Sequence, residues 1–218
     1  MALREYSPFL MVNLCVDMQS KNEIIAAIKN DFPNAFIITT PNKGKDIGGK
    51  LALSHFFIKT QQRTEFIIYL HDKISPHSTN GTEWRTKLFA IIDPKRIESI
   101  LEQFRQNNKT GVIGSAEFIQ NEYDEKLQDW KTTNNKKLRE LIGLYQLKVT
   151  DYTFIAGTMF WIRSAIVKNF FARNSALDCR ELLEENDPTD KYDGTYTHSW
   201  ERLFCWIAND QHYTVKGI

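Results

Sequence analysis

The chain has 218 residues, 42% of them hydrophobic and 25% charged, with a net charge of +1. That length suits one α/β domain with a sizeable core, and the near-zero charge excludes bulk nucleic-acid binding. The three cysteines, Cys15, Cys179 and Cys205, are too far apart and odd in number for a disulfide framework or a metal motif, which fits a reducing compartment.

Pro8–Val16 is an apolar run of strand length. It falls short of the roughly 18 residues that cross a bilayer and lacks a small-residue cleavage site, so it reads as a buried strand rather than a secretory signal. Peripheral membrane contact stays open. Ser20–Asn30 carries Ile24, Ile25 and Ile28 at helical spacing, with Ser20 as a candidate cap. Ala35–Thr40 is β-rich and stops at Pro41, and a glycine turn leads into a helix over Lys50–Thr60. Phe66–Leu70 is the next strand, and this β-α-β-α-β alternation predicts an α/β fold with a largely parallel sheet. His71–Thr82 reads as a loop, followed by helices over Glu83–Ile92 and Asp93–Asn107, with Pro94 in the first turn of the second. Gly111–Ser115 is a short strand. Residues 121–147 are polar with aromatic punctuation and read as a helical lid or insertion outside the core. Phe154–Ile162 is a strand broken at Ala156-Gly157, and Ser164–Arg173 a helix. Ser175–Tyr196 is irregular and acidic, Thr197–Ala208 a tryptophan-rich helix, and Tyr213–Val215 a last strand. Without a repeat or a linker, residues 1–218 read as one domain.

Two stretches carry chemistry. In Asn42-Lys43-Gly44-Lys45-Asp46-Ile47-Gly48-Gly49-Lys50, glycines allow close backbone approach and a helix start points amides at an anion, with lysines adding charge. Asp46 would repel a phosphate there, so it is expected to take a base or a sugar hydroxyl, or to cap the helix. The plainer reading is a helix start with solvated lysines. The second stretch is His71-Asp72-Lys73, where a buried strand ends in ionisable groups. Ligands of α/β proteins gather at the carboxyl ends of strands. The loop beyond holds Ser75, His77, Thr79 and Asn80 and leads to Trp84-Arg85, donors and aromatic surface for a polar ligand. The plainer reading is a strand leaving the core for solvent.

These blocks, with Phe154-Ile-Ala-Gly-Thr-Met-Phe-Trp-Ile-Arg163 and Asp193-Gly-Thr-Tyr-Thr-His-Ser-Trp-Glu-Arg202, occur in the order of the rhamnan synthesis protein F family, which the chain resembles from residue 42 to 207. The resemblance implies a single Rossmann-like domain of the A-type glycosyltransferase kind, with a mainly parallel central sheet and helices on both faces. It implies transfer of a sugar, rhamnose by family likeness, from a nucleotide-diphosphate donor to a cell-surface polysaccharide or lipid-linked glycan, by inversion, in the cytoplasm or at the inner face of the membrane. Asn42, Gly44, Lys45, Asp46, Gly48, His71, Asp72 and Lys73 would lie on the donor side, with Lys73 and Lys45 on the diphosphate. His77, Trp84, Arg85, Gly157, Thr158 and Trp161 would lie on the acceptor side, Trp161 as a sugar platform or else as core. Glu201 would be the base that deprotonates the acceptor hydroxyl, with Asp193 and His198 as rivals. Glu184, Glu185 and Asp187 look like a solvated acidic loop. Related transferases hold a divalent metal with Asp-x-Asp. His71-Asp72-Lys73 stands in its place, so no cofactor is expected and Asp72 is the one weak metal candidate. Two other readings remain: a non-catalytic glycan- or nucleotide-binding module of the same fold, and, behind it, a phosphohydrolase using Asp72.

Overall fold

The computed structural model describes residues 9–16, 19–72, 81–186, 188–189 and 193–218. Lys73, His77 and Asp187 lie outside them. The elements are β1 (Met11–Cys15), α1 (Lys21–Asp31), β2 (Phe36–Thr40), α2 (Lys45–Lys59), β3 (Phe66–Tyr69), α3 (Gly81–Phe89) and α4 (Pro94–Gln106). Then come β4 (Thr110–Gly114), β5 (Ile119–Asn121), β6 (Tyr123–Asp124), β7 (Asp129–Trp130), α5 (Asn135–Tyr145), β8 (Thr153–Ile155) and β9 (Phe160–Arg163). The chain finishes with α6 (Ser164–Phe171), α7 (Ala176–Glu181), α8 (Tyr196–Asp210) and β10 (Thr214–Gly217).

Local chemistry explains several boundaries. The Asp93 carboxylate accepts from the Lys95 N–H at 2.9 Å, and Pro94 occupies the first helical position of α4, where its missing donor costs nothing. Ile97, Ile100 and Phe104 then form the buried stripe of that helix. α1 starts after Ser20, but the Ser20 side chain makes no capping bond, against expectation.

The fold is α/β, and its main sheet is mixed. A four-stranded sheet has the order β10-β4-β9-β3. β10 pairs parallel with β4, whereas β9 pairs antiparallel with both β4 and β3. β1 and β2 form a separate parallel pair, so β3 does not extend their ladder. The parallel alternation expected over the first three strands therefore holds for β1–β2 and fails at β3, and in the main sheet β10–β4 alone is parallel because β9 runs the other way. The cause lies at Ala156-Gly157-Thr158. Gly157 and Thr158 take φ of +82° and +52°, and the chain turns there. What reads as one broken strand becomes β8, paired with β5, and β9, in the main sheet.

Residues 121–147 are no lid outside the core. β6 and β7 form a hairpin, and Trp130, Leu138 and Leu141 are buried in the central apolar cluster. The Trp130 ring lies 5.5 Å from that of Trp206. α8 is the hub of this core. Trp200 and Trp206 are wholly buried on it, and it packs on β8, β10, β4, α2, α5 and α6. Burial of a large apolar side chain contributes about 1.5–3 kcal/mol, so α8 is anchored on several sides. Among the described residues no helix is long and apolar enough to cross a membrane.

Candidate functional site

The register Tyr69↔Phe160↔Gly114 brings the ends of β3 and β4 and the start of β9 to one sheet edge. His71, Thr158 and Ser115 therefore gather there, and the first turns of α2 reach the same place. Lys50, 2% exposed, stands at the centre. Its Nζ lies 2.5 Å from Asp46 Oδ2, 2.9 Å from Thr158 Oγ1 and 3.1 Å from His71 Nδ1. An ammonium only donates, so the Lys50 contact requires Nδ1 of His71 to accept. Thr158 closes the ring by donating to Asp46 Oδ2 at 2.5 Å. Burial alone would raise the Asp46 pKa. The charge of Lys50, and that of His71 once acid protonates its ring, with hydrogen bonds from Lys50 and Thr158, outweigh it and hold the carboxyl well below the usual carboxylate range.

The turn holding Thr158 is fastened from the other side by α8. The Gly157 N–H donates to Glu201 Oε1 at 2.7 Å, and Arg202 Nη1 reaches Glu201 Oε2 at 2.5 Å. Arg202 Nε also donates to Glu122 Oε2 at 3.0 Å, and its guanidinium covers the Phe154 ring at 4.4 Å. Glu122 is 2% exposed and accepts from the Thr132 N–H and hydroxyl. A continuous polar chain thus runs Glu122–Arg202–Glu201–Gly157-Thr158–Asp46–Lys50–His71. It joins α8, the β8–β9 turn, α2 and the end of β3.

The expected site residues divide on this geometry. Asp46, His71, Gly157, Thr158 and Glu201 come together. Asp46 faces Lys50 and Thr158 within the protein. Gly44 and Lys45 take φ of +70° and +51° as α2 opens, and the Asn42 carbonyl accepts from the Asn186 N–H. A Cβ on Gly48 would fall 1.7 Å from the Lys43 carbonyl oxygen, so this glycine permits the tight entry into α2. Asp72 is exposed and faces Arg85 at 3.7 Å. Trp84 packs on Phe118.

Three assignments move away from the cluster. Trp161 is 4% exposed, and its indole donates to the Ile91 carbonyl, so it is core and presents no sugar platform. Asp193 forms an exposed ion pair with Lys136 at 3.1 Å. His198 Nδ1 lies 2.9 Å from the hydroxyl of Thr195, the N-cap of α8. Glu184 is no solvated loop residue. It accepts from the N–H groups of Tyr196 and Thr197 and from the Thr197 hydroxyl. Those bonds overcome the effect of burial and lower its pKa.

Glu122, and the burial of Lys50, escape a reading of the sequence. Lysine and glutamate in polar stretches look solvated, and only the i, i+4 spacing of Asp46 and Lys50 hints at the pair.

A divalent ion does not suit these donors. The Asp46 oxygen is shared by Lys50 and Thr158, and Nδ1 of His71 faces the same ammonium. Among the described residues no three His, Cys, Asp or Glu side chains cluster as metal ligands.

The fold and site define an α/β protein whose polar network closes the carboxyl edge of a mixed sheet. The sequence pattern of one family, rhamnan synthesis protein F, matches residues 6–213, and the chain belongs to that family. It is also similar to a protein of Xanthomonas campestris pv. campestris named "Uncharacterized protein WxcX", with 23% identity over 225 residues, covering 100% of this chain and 30% of that protein. The WxcX protein of a second strain matches equally. The chain thus spans under a third of the length of these curated relatives, 30% in each case. No solved structure matches it.

Proposed function

We propose that this chain is a glycosyl-transfer domain of polysaccharide synthesis, with an A-type domain's way of working. It moves a sugar, rhamnose by family, from a nucleoside-diphosphate donor to a growing or lipid-linked glycan. The observation that carries the reading is the polar chain from Glu122 to His71, which fixes groups from four elements at a strand-end edge. Family membership supplies the polysaccharide.

The donor diphosphate lies against the opening turn of α2, where first-turn amides and the helix dipole favour an anion and Lys45 adds charge. Asp46 does not oppose this, because Lys50 neutralises it. His71 lines the same edge. Glu201 is the base of an inverting displacement: it alone of the three candidates reaches the β8–β9 turn, and the Gly157 N–H and Arg202 fix its direction. Both oxygens keep lone pairs beyond these bonds. The acceptor hydroxyl gives its proton to Glu201 as its oxygen attacks the anomeric carbon. The bond to the diphosphate breaks with its electron pair.

One observation favours the second reading, a binding module without turnover. Both Glu201 oxygens are already engaged inside the protein, by the Gly157 N–H and by Arg202, as in a group that holds a turn in place. Nucleotide release from a panel of nucleoside-diphosphate sugars, with glycan acceptor present, separates the two. Glu201→Gln is expected to lower turnover by about 10²–10⁴ with donor affinity retained, whereas Asp193→Asn leaves it unchanged. Full activity in Glu201→Gln with loss in Asp193→Asn would move the base to Asp193. Donor binding without turnover in the unmodified protein would establish the binding module.

A further inference from the structure

An open groove of about 720 Å³ is lined by Arg85, Lys87, Phe89, Arg96, Ser115 and Glu117 among others. It begins at Arg85, next to Asp72 at the end of β3, and passes Ser115 at the end of β4. It therefore leaves the same sheet edge that carries His71 and Thr158. We propose that this groove binds an extended, uncharged, hydroxyl-rich oligosaccharide strand, the non-reacting part of the acceptor. The proposal rests on the glycosyl-transfer reading and adds to it a subsite and a ligand charge.

Three features of the lining support this. First, its charges are of both signs and are held by partners within the protein. Lys87 pairs with Glu83 at 2.9 Å and Glu117 at 2.7 Å, Arg85 faces Asp72, and Arg96 Nη1 donates to the Ile218 carbonyl at 3.3 Å. The Asp93 carboxylate is occupied by the Lys95 N–H. Such a surface of mixed sign has little pull on a polyanion, and it offers donors and acceptors side by side, which suits hydroxyls that do both. Second, Ser115 lines the groove, and its hydroxyl is not used to cap the short helix it precedes. A hydroxyl on a groove wall can both donate to and accept from a sugar hydroxyl. Third, Phe89 lies half-buried in the lining with the Arg85 guanidinium 5.6 Å from its ring centre, an apolar face for the C–H side of a sugar. The volume falls in the range of about 300–1,000 Å³ that holds ligands larger than one sugar ring.

Calorimetric titration of the whole chain with a rhamnose tetrasaccharide, and with a sulfated tetrasaccharide of equal length, tests this. The neutral sugar is expected to bind and the sulfated one to bind more weakly. Ser115→Ala and Arg96→Gln are each expected to weaken the neutral sugar about three- to tenfold, the worth of one hydrogen bond, at an unchanged melting temperature. Arg96 is exposed, so its variant keeps the test valid should Ser115→Ala lose stability. No binding of the neutral sugar, tighter binding of the sulfated one, or both variants binding as the parent would overturn the proposal. Binding of the tetrasaccharide without nucleotide-sugar turnover would sink the transferase reading and leave the groove standing. Turnover with acceptors of any length, and no tetrasaccharide binding, would do the reverse.

Discussion

Lys50 is the residue on which the site turns. A buried ammonium is tolerated only when paired and hydrogen-bonded, and here Asp46, Thr158 and His71 meet that need. Removing one partner of such a pair leaves an uncompensated charge, at a cost of about 3–5 kcal/mol. Lys50→Met is expected to destabilise the protein by that amount in urea denaturation. Adding Asp46→Asn should recover part of the loss, because the orphaned carboxylate is gone. Strictly additive losses in the double variant would show that the two groups do not interact. Thr158 carries a related cost. A β-branched residue at φ +52° lies in a sparsely populated region, worth about 1–3 kcal/mol of strain. Its hydroxyl both donates to Asp46 and accepts from Lys50, so the strain holds a group that glycine could not supply.

At the scale of elements, the start of α2 and the β8–β9 turn set the site. The Gly48 environment makes the first of these testable. The atom that a new Cβ would strike is backbone, so the turn itself must shift. Gly48→Ala is expected to lose about 1–3 kcal/mol, as overpacked positions do, and to weaken donor binding with it. Unchanged stability, read from the denaturation midpoint, would free the glycine from this role. That a helix follows β2 was legible because glycine, lysine and aspartate cluster where an apolar strand has just ended, but α2 starts at Lys45, five residues before the expected Lys50, and takes Gly48 and Gly49 into its first turns. The Asp93-Pro94 start of α4 was legible because cap and first-turn chemistry are local. The direction of β9 was not. An apolar run reports burial and length, and parallel and antiparallel neighbours demand the same side chains. Trp161 was ambiguous for a like reason: tryptophan serves core and sugar platform alike, and only its bond to the Ile91 carbonyl decides. Residues 121–147 looked detached because their polar majority hides the few inward residues, Glu122 and Trp130 among them.

For the molecule as a whole, the buried ionisable groups set a stability plateau. Burial works against charge at Asp46 and Glu184, yet hydrogen bonds at both, with the cations beside Asp46, leave their folded pKa values lowered. Their contribution is full above the unfolded values of about 4 and is lost as pH falls below them. Burial raises Tyr69 to about 12 against its bond to Ser54, Cys205 to about 12 and Cys179 to about 11. The fold keeps these groups neutral, so their contribution is full below the unfolded values of about 8.5 and 10 and falls as pH rises through about 11–12. Melting temperature is therefore expected to be flat between about pH 5 and 8 and to drop on either side. In Asp46→Asn the acid limb should become shallower, and an unchanged limb would count against the pair. The polar chain also has a history in time. Its bonds join residues separated in sequence by 112 positions between Asp46 and Thr158, 80 between Glu122 and Arg202, and 44 between Gly157 and Glu201. Contacts so distant close only after large loops have paid their entropy, and chains built on them fold slowly. The chain of bonds therefore completes late, when nearly every other element is in place. On the glycosyl-transfer reading, the amount of donor bound at this edge is expected to report finished folding: a preparation holding half-folded molecules should keep its helices and bind less in proportion.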